Sequence, residues 1–393
     1  MKHRTDDNIS PFIPEEFSHA SEKLEFGIVL ELIASYAAGE RTADTIRNMQ
    51  MLGSIAVIEE SQSEIREALG RIEGGEDIPI AGWVDRREAL QAINVEGAVS
   101  DAEILRGIAD AEATADRIRA FLAKRESTLP LLATFLDRLD IQGETVARIQ
   151  RAINPEGEIV DEASRELARI RKRMNALRER LRKVCADFAQ EHGTGKGYEF
   201  VTMRGERYVV SLPRSEAVRI KGIVHQVSSS GASLFVEPFL FVEQNNALES
   251  LVQEERSEIE KILRDLTSLV YAKRDSLLGN QDAIRELDAI RAKALFARRF
   301  ASEKPEHSAD GTLHLRSARH PLLEKRLVDE GKEKAARPLD LRCGPDLKVL
   351  VISGPNAGGK TVALKTAGLA VLMDRTGLLL PCKQGSVVPD YRN

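Results

Sequence analysis

Apolar residues recur at helical spacing along the first part of the chain. Leu24, Ile28, Leu32 and Ile33 form one stripe, and Ile58, Ile65, Leu69 and Ile72 form a second. Steps of three and four are those of helices that bury a single face. Ser100 to Glu103 has the spacing of a capping box, in which the serine oxygen accepts the Glu103 N–H and the glutamate reaches back. It opens a stretch carrying Leu105, Ile108, Ala115, Ile118 and Leu122, while the paired glycines Gly74 and Gly75 and the run 154–157 punctuate the pattern. The pattern predicts a helical scaffold over residues 21–160, behind a tail at 1–20. No residue in that region announces chemistry.

From residue 162 the spacing tightens. Leu167, Ile170, Met174, Leu177, Leu181, Val184 and Phe188 alternate threes and fours, a sustained heptad of the kind that packs a helix in a coiled coil. A second stretch carries Leu248, Val252, Ile259, Ile262, Leu266 and Leu269, interrupted by Glu255. Between the two lie strand formers, clearest at 208–212 and 233–236, with glycines at 193, 195, 197, 205, 222 and 231. The economical architecture for 161–279 is an antiparallel helical pair holding a small β-rich tip at about 193–240. At roughly 1.5 Å per residue, such an arm is on the order of 45 Å long. A return helix is expected over 280–303, then a polar segment and a strand at 313–316. Residues 348–352, Lys-Val-Leu-Val-Ile, have the composition of a buried strand, and 361–373 that of a helix. The predicted class is mostly α, followed over 304–393 by the start of an α/β domain.

Composition narrows the setting. Three cysteines, Cys185, Cys343 and Cys382, lie far apart without C-x-x-C spacing, which argues against structural zinc and disulfides and fits a reducing cytoplasm. No apolar run approaches the roughly 20 residues of a membrane span, and no apolar segment follows the charges at residues 1–7, so neither a membrane anchor nor a signal peptide is expected. A net charge of −5 argues against a generally basic nucleic-acid binder but leaves room for local basic patches. Residues 165–183 hold nine Lys/Arg. They suit a phosphate-contacting stripe or, offset by Glu166 and Glu179, the solvated face of a helix. Lys196, Arg204, Arg207, Arg214, Arg219 and Lys221, near the tip, are better placed for nucleic acid and are expected to touch backbone rather than base edges.

One motif carries chemistry. Gly354, Pro355, Asn356, Ala357, Gly358, Gly359, Lys360 and Thr361 complete the Walker A pattern, placed between an expected strand and an expected helix. The glycines let backbone N–H groups turn toward phosphate oxygens, and the helix N-terminus adds positive dipole. Lys360 is expected to reach the β- and γ-phosphates of ATP or ADP, and Thr361 to ligate Mg²⁺. Hydrolysis also needs an acidic residue on a later strand. Asp390, beside Pro389, is a poor candidate, so the ATPase core is expected to be incomplete. His320, before Pro321, is expected to be a structural contact, and His225 to bond with nearby serines. Ser228, Ser229 and Ser230 suit a polar turn, since no nucleophile elbow follows.

These residues resemble a known family. The stretch 353–365, with Gly-Pro-Asn ahead of paired glycines, is similar to the Walker A segment of MutS proteins. Arg319-His-Pro-Leu-Leu323 resembles the motif opening their ATPase domain, and residues 222–238 resemble a segment of the bacterial type-two MutS branch. The resemblance covers about residues 20–393. It implies a core or lever, a coiled-coil clamp and the first third of the ATPase domain. In that family the clamps of a homodimer close around nucleic acid, and ATP drives their opening and closing. The mismatch-reading Phe-x-Glu does not occur before residue 235, which favours the type-two branch, associated with suppression of recombination and with stalled ribosomes. Phe235-Val-Glu237 fits the letters but falls in an expected tip strand and is taken as structural. The family's later ATPase motifs and C-terminal nuclease module are missing from these residues, so the resemblance implies a chain cut off after the P-loop. Residues 334–337 offer no aromatic to stack on adenine. A second class of function stays open: a structural coiled-coil protein with a vestigial P-loop and no ATP turnover.

Overall fold

The computed structural model describes residues 15–192, 201–229, 231–331, 336–355 and 359–390. Helices α1 (Glu15–Lys23), α2 (Phe26–Ala34), α3 (Glu40–Arg47), α4 (Ile55–Glu73), α5 (Arg87–Ala92), α6 (Ala102–Ala123), α7 (Pro130–Ala133) and α8 (Gly143–Ala152) precede the long α9 (Arg165–His192). Then come β1 (Val201–Arg204), β2 (Arg207–Pro213), α10 (Arg214–Ala217), β3 (Gly222–Val227) and β4 (Ser233–Pro238). The chain continues through α11 (Phe239–Ala272), α12 (Arg274–Arg299), β5 (Glu306–Ser308), β6 (Leu313–Ala318), α13 (Pro321–Asp329), β7 (Leu339–Cys343), α14 (Lys360–Arg375) and β8 (Val387–Pro389). The protein is mostly helical with two small sheets. Among the described residues no helix is long and apolar enough to cross a membrane.

Two compact units emerge, one of Met1–Glu88, Asp110–Gly143 and Asp275–Asn393, the other of Ala89–Ala109 and Glu144–Arg274. In the first, the α4 stripe is buried as its spacing predicts, with Ile65, Leu69 and Ile72 against Trp83, Ile118, Leu122 and Leu287. Ser54 caps that helix by accepting the Val57 N–H, a preferred N-cap arrangement. The α2 stripe differs from expectation. Phe26, Val29, Leu30 and Ile33 are buried while Ile28 faces outward, because Glu25 adopts a left-handed backbone (φ 59°) that resets the helical phase after α1. A second core joins Val29 and Ile33 to Phe296, Leu315, Leu369 and Met373. The capping-box expectation also shifts by one residue. Helix α6 begins at Ala102, and the Ser100 N–H donates instead to Thr267 Oγ1 at 3.0 Å.

The sheet of this unit has the order β5-β8-β6-β7, with β5 and β8 parallel and the other pairs antiparallel. The strand expected at 348–352 is not among them. Gly344 and Leu347 close a tight turn after β7. The chain then runs on without a ladder partner among the described residues, leaving Val349 75% and Val351 81% exposed. A strand is held by its neighbours' backbone groups, and here no described strand lies alongside.

In the second unit α9 and α11 run antiparallel. Ser164 meets Glu258, Arg171 meets Glu255, and Phe188 meets Phe241, so one helix ascends as the other descends. Leu167, Ile170, Met174 and Leu181 are buried as the heptad predicts. After Leu181 the stripe shifts to Cys185 and Ala189, while Val184 turns outward. This four-residue step is a stutter, and it falls where Cys185 and Ala189 join a core with Tyr208 and Val210 of β2. Glu255, the interruption in α11, accepts Arg171 Nε at 2.7 Å. The sheet at the end of the pair has the antiparallel order β1-β2-β4-β3. The pattern had marked only β2 and β4. Gly222 is required in this sheet, because a Cβ there would lie 2.6 Å from the Glu237 carbonyl oxygen.

All three cysteines are free. Burial pushes the Cys185 thiol up to about 12 and the Cys382 thiol up to about 11. Cys343, at the end of β7, is only half-buried.

Candidate functional site: the P-loop helix and the β tip

Helix α14 is anchored at its far end and open at its beginning. Leu369, Ala370, Leu372 and Met373 sit in the core, whereas Thr361, Val362 and Leu364 are exposed. Gly359 caps the helix in the left-handed region (φ 82°), a conformation in which any other residue is strained. Lys360, the first helical residue, folds back so that its Nζ donates to the Gly354 carbonyl at 2.5 Å. Gly354, Pro355, Gly359, Lys360 and Thr361 are thus described, whereas Asn356, Ala357 and Gly358 lie outside the described residues. The N–H groups of the first turn, the ammonium and the Thr361 hydroxyl are groups that could hold phosphate oxygens and a Mg²⁺ ion.

The anchored end holds a cluster that no motif marked. Fully buried Asp374 accepts His307 Nε2 at 3.0 Å and Gln62 Nε2 at 2.9 Å through Oδ1. His307 Nδ1 lies 3.2 Å from Glu59 Oε1. Asp374 raises the His307 imidazole above its ordinary value, Glu59 adds to this, and burial opposes both. The imidazole is therefore stabilised as a cation between two carboxylates. Further along, Lys365 pairs with Glu25 at 2.6 Å. His320 sits at the N-cap position of α13 without a side-chain capping bond, and burial, aided by Lys365, lowers its proton affinity. It is an internal group, in line with a structural contact.

The basic residues expected to act together at the tip separate into three situations. Arg207 points inward. Its Nε and Nη2 meet Glu237 at 2.8 and 2.7 Å, its Nη1 meets Glu249 at 2.9 Å, and Nη2 also reaches Asn246. Glu237 is fully buried and additionally accepts Asn245 Nδ2 and His225 Nε2 at 2.9 and 2.7 Å. Burial pushes that carboxyl up, but Arg207, Asn245 and His225 outweigh it and hold it below the usual range. Arg207 is thus ion-paired within the tip, and His225 bonds Glu237. Arg204 stacks on the Phe235 ring at 3.8 Å from its centroid, an arrangement worth about 0.5–1 kcal/mol at such a surface. Arg214, Arg219 and Lys221 are exposed along α10 and the entry to β3, with Arg219 loosely paired to Glu216 at 3.4 Å. Lys196 lies outside the described residues, as does Ser230. Ser228 closes the β3–β4 turn, its Oγ accepting the Ser233 N–H. Phe235 and Glu237 both serve the strand β4.

Four of the nine basic residues of 165–183 are ion-paired. Arg169 pairs with Glu166, Arg171 with Asp161 and Glu255, Arg173 with Glu254, and Arg182 with Glu179. Among the described residues no cluster of His, Cys, Asp and Glu is arranged to hold a metal ion.

Comparison with known proteins agrees with the motifs. No family model matches the chain. Individual relatives match nearly all of it. A protein of Pelotomaculum thermopropionicum named endonuclease MutS2 is 35% identical over 375 residues, covering 95% of this chain and 46% of the relative. The endonuclease MutS2 of Symbiobacterium thermophilum is 36% identical over 368 residues, 93% of this chain and 45% of that protein. That of a Geobacillus species is 32% identical over 375 residues, 94% and 47%. The chain belongs to the MutS family, in its MutS2 branch. It spans about half the length of the curated relatives it matches.

Proposed function

We propose that this chain is the nucleic-acid-clamping and nucleotide-binding part of a MutS2-type ATPase that acts as a homodimer in the cytoplasm. The observation that carries the nucleotide half is the exposed first turn of α14, with left-handed Gly359 as its cap and Lys360 reaching across to Gly354. In this reading the Lys360 ammonium would exchange the Gly354 carbonyl for the β- and γ-phosphate oxygens of a nucleotide. The N–H groups of the first turn would hold the phosphates, and Thr361 would hold the Mg²⁺ that neutralises them. Bound nucleotide supplies the γ-phosphate whose presence or loss distinguishes two states of the loop. Residues 348–352 act as the strand before the loop once neighbouring strands pair with them, which accounts for their exposed apolar side chains.

The nucleic-acid half rests on the antiparallel helices α9 and α11, taken as a coiled-coil clamp, and on the exposed Arg214, Arg219 and Lys221 at its tip. Their charges suit the phosphate backbone of branched DNA or ribosomal RNA, recognised by shape rather than base sequence. The relatives' name, endonuclease, states a nuclease activity for those proteins. Calorimetric titration with Mg-ATP tests the reading. Binding weakened at least tenfold by Lys360→Ala is expected. A folded protein without affinity for Mg-ATP would leave the structural coiled-coil reading, with a vestigial P-loop.

A further inference from the structure

At the root of the helical pair, within the second unit, a cleft of about 470 Å³ lies between α8, the turn at 162–164, the first turn of α9 and the middle of α11. Arg148 and Arg151 are three residues apart on α8 and share a face. Arg165 opens α9, and Lys261 comes from α11. Of the lining carboxylates, Glu258 is committed internally. It accepts the Ser164 hydroxyl at 2.7 Å and lies 3.8 Å from Lys261. Ser164 in turn caps α9 by accepting the Leu167 N–H at 2.9 Å. Arg148, Arg151 and Arg165 are exposed, and none has a carboxylate partner among the described residues. Their neighbours Arg169, Arg171 and Arg173 are all ion-paired. Around the concavity Arg148, Arg151, Arg165 and Lys261 stand against Glu162, Glu258 and Asp265, four cations to three carboxylates, so its charge balance stays positive.

We propose that this cleft is a second contact for the phosphodiester backbone of nucleic acid, separate from the tip. A small free anion is held by buried donors, whereas exposed guanidiniums spread over two helices suit an extended polyanion that several of them touch at once. Glu162 and Asp265, exposed on the rim, limit the affinity by repelling phosphate. The inference rests on the nucleic-acid reading above, and its test separates the two.

The whole chain is titrated, by fluorescence anisotropy, with a labelled four-way-junction DNA and in parallel with a labelled RNA hairpin, between 50 and 200 mM KCl. Replacing Arg148, Arg151 and Arg165 together by Gln is expected to lower the slope of log affinity against log salt by roughly 2–3, about 0.9 for each lost phosphate contact. The double variant Glu162→Gln, Asp265→Asn is expected to bind more tightly, on the order of threefold, a gain that misfolding does not produce. If the wild type bound neither probe, the nucleic-acid reading and the cleft would both fall. If neutralising Arg214, Arg219 and Lys221 lowered the slope but neutralising the cleft did not, the cleft alone would fall. Absence of a gain in the rim variant would likewise overturn it.

Discussion

The β tip and the segment that leads into the P-loop are both short runs of β-branched residues, yet they meet opposite fates. In the tip, Val209, Val210, Leu212 and Val236 are buried, and each strand finds a partner close by in sequence. β1 pairs with β2 across the turn at Gly205, and β3 pairs with β4 across the turn at Ser228. The Glu237 network then satisfies the polar groups that burial would otherwise leave costly. Residues 348–352 are at least as apolar, but without a strand beside them their side chains face solvent. Apolar patterning shows the capacity to form a strand. Pairing depends on which neighbours the rest of the chain brings alongside.

The largest effect is expected in the tip. Glu237→Ala leaves Arg207 with only Glu249 and Asn246 and should cost about 3–5 kcal/mol, the scale for breaking a buried ion pair. Hydrogen exchange would show lost protection across β1 to β4 and little change around α4. Retained protection in the tip would break the comparison. Asn245→Ala comes next. Asn245 accepts the Tyr208 N–H and donates to its carbonyl, so its loss should cost about 1–3 kcal/mol.

At the anchored end of α14, His307→Gln should cost about 1–2 kcal/mol near pH 6. The imidazole's folded value is raised, so its contribution is complete below the unfolded value of about 6.5 and is lost as pH rises through the folded one. Melting curves of wild type and variant should therefore converge as the pH is raised through the folded value. A gap independent of pH would mean that packing, not charge, holds that end. The smallest effect belongs to Val351→Asp, expected to change stability by less than about 0.5 kcal/mol. A loss of several kcal/mol would show that the segment is buried in solution after all.

The helical periodicity was legible because it depends on spacing alone, which is why α4 and the first half of α9 fall where the stripes place them. It failed at Ile28 and Val184, where a left-handed residue or a change of packing partner resets the helical phase. The glycine loop was legible as letters, and the cap at Gly359 has the geometry those letters need. The role of Arg207 was not, since Glu237 and Glu249 stand 30 and 42 residues away in sequence. His307 and Asp374, 67 residues apart, are invisible to local pattern for the same reason.

The unequal burial of the three thiols has a practical consequence. Cys185 and Cys382 are enclosed and held protonated, so at neutral pH a maleimide or nitroxide reagent meets one reactive position, Cys343. That position ends β7, five residues before the segment 348–352 begins, and reaching it requires no engineered cysteine. A probe placed there would sense whether a neighbouring strand docks beside the P-loop, while the packing of the helical pair stays undisturbed.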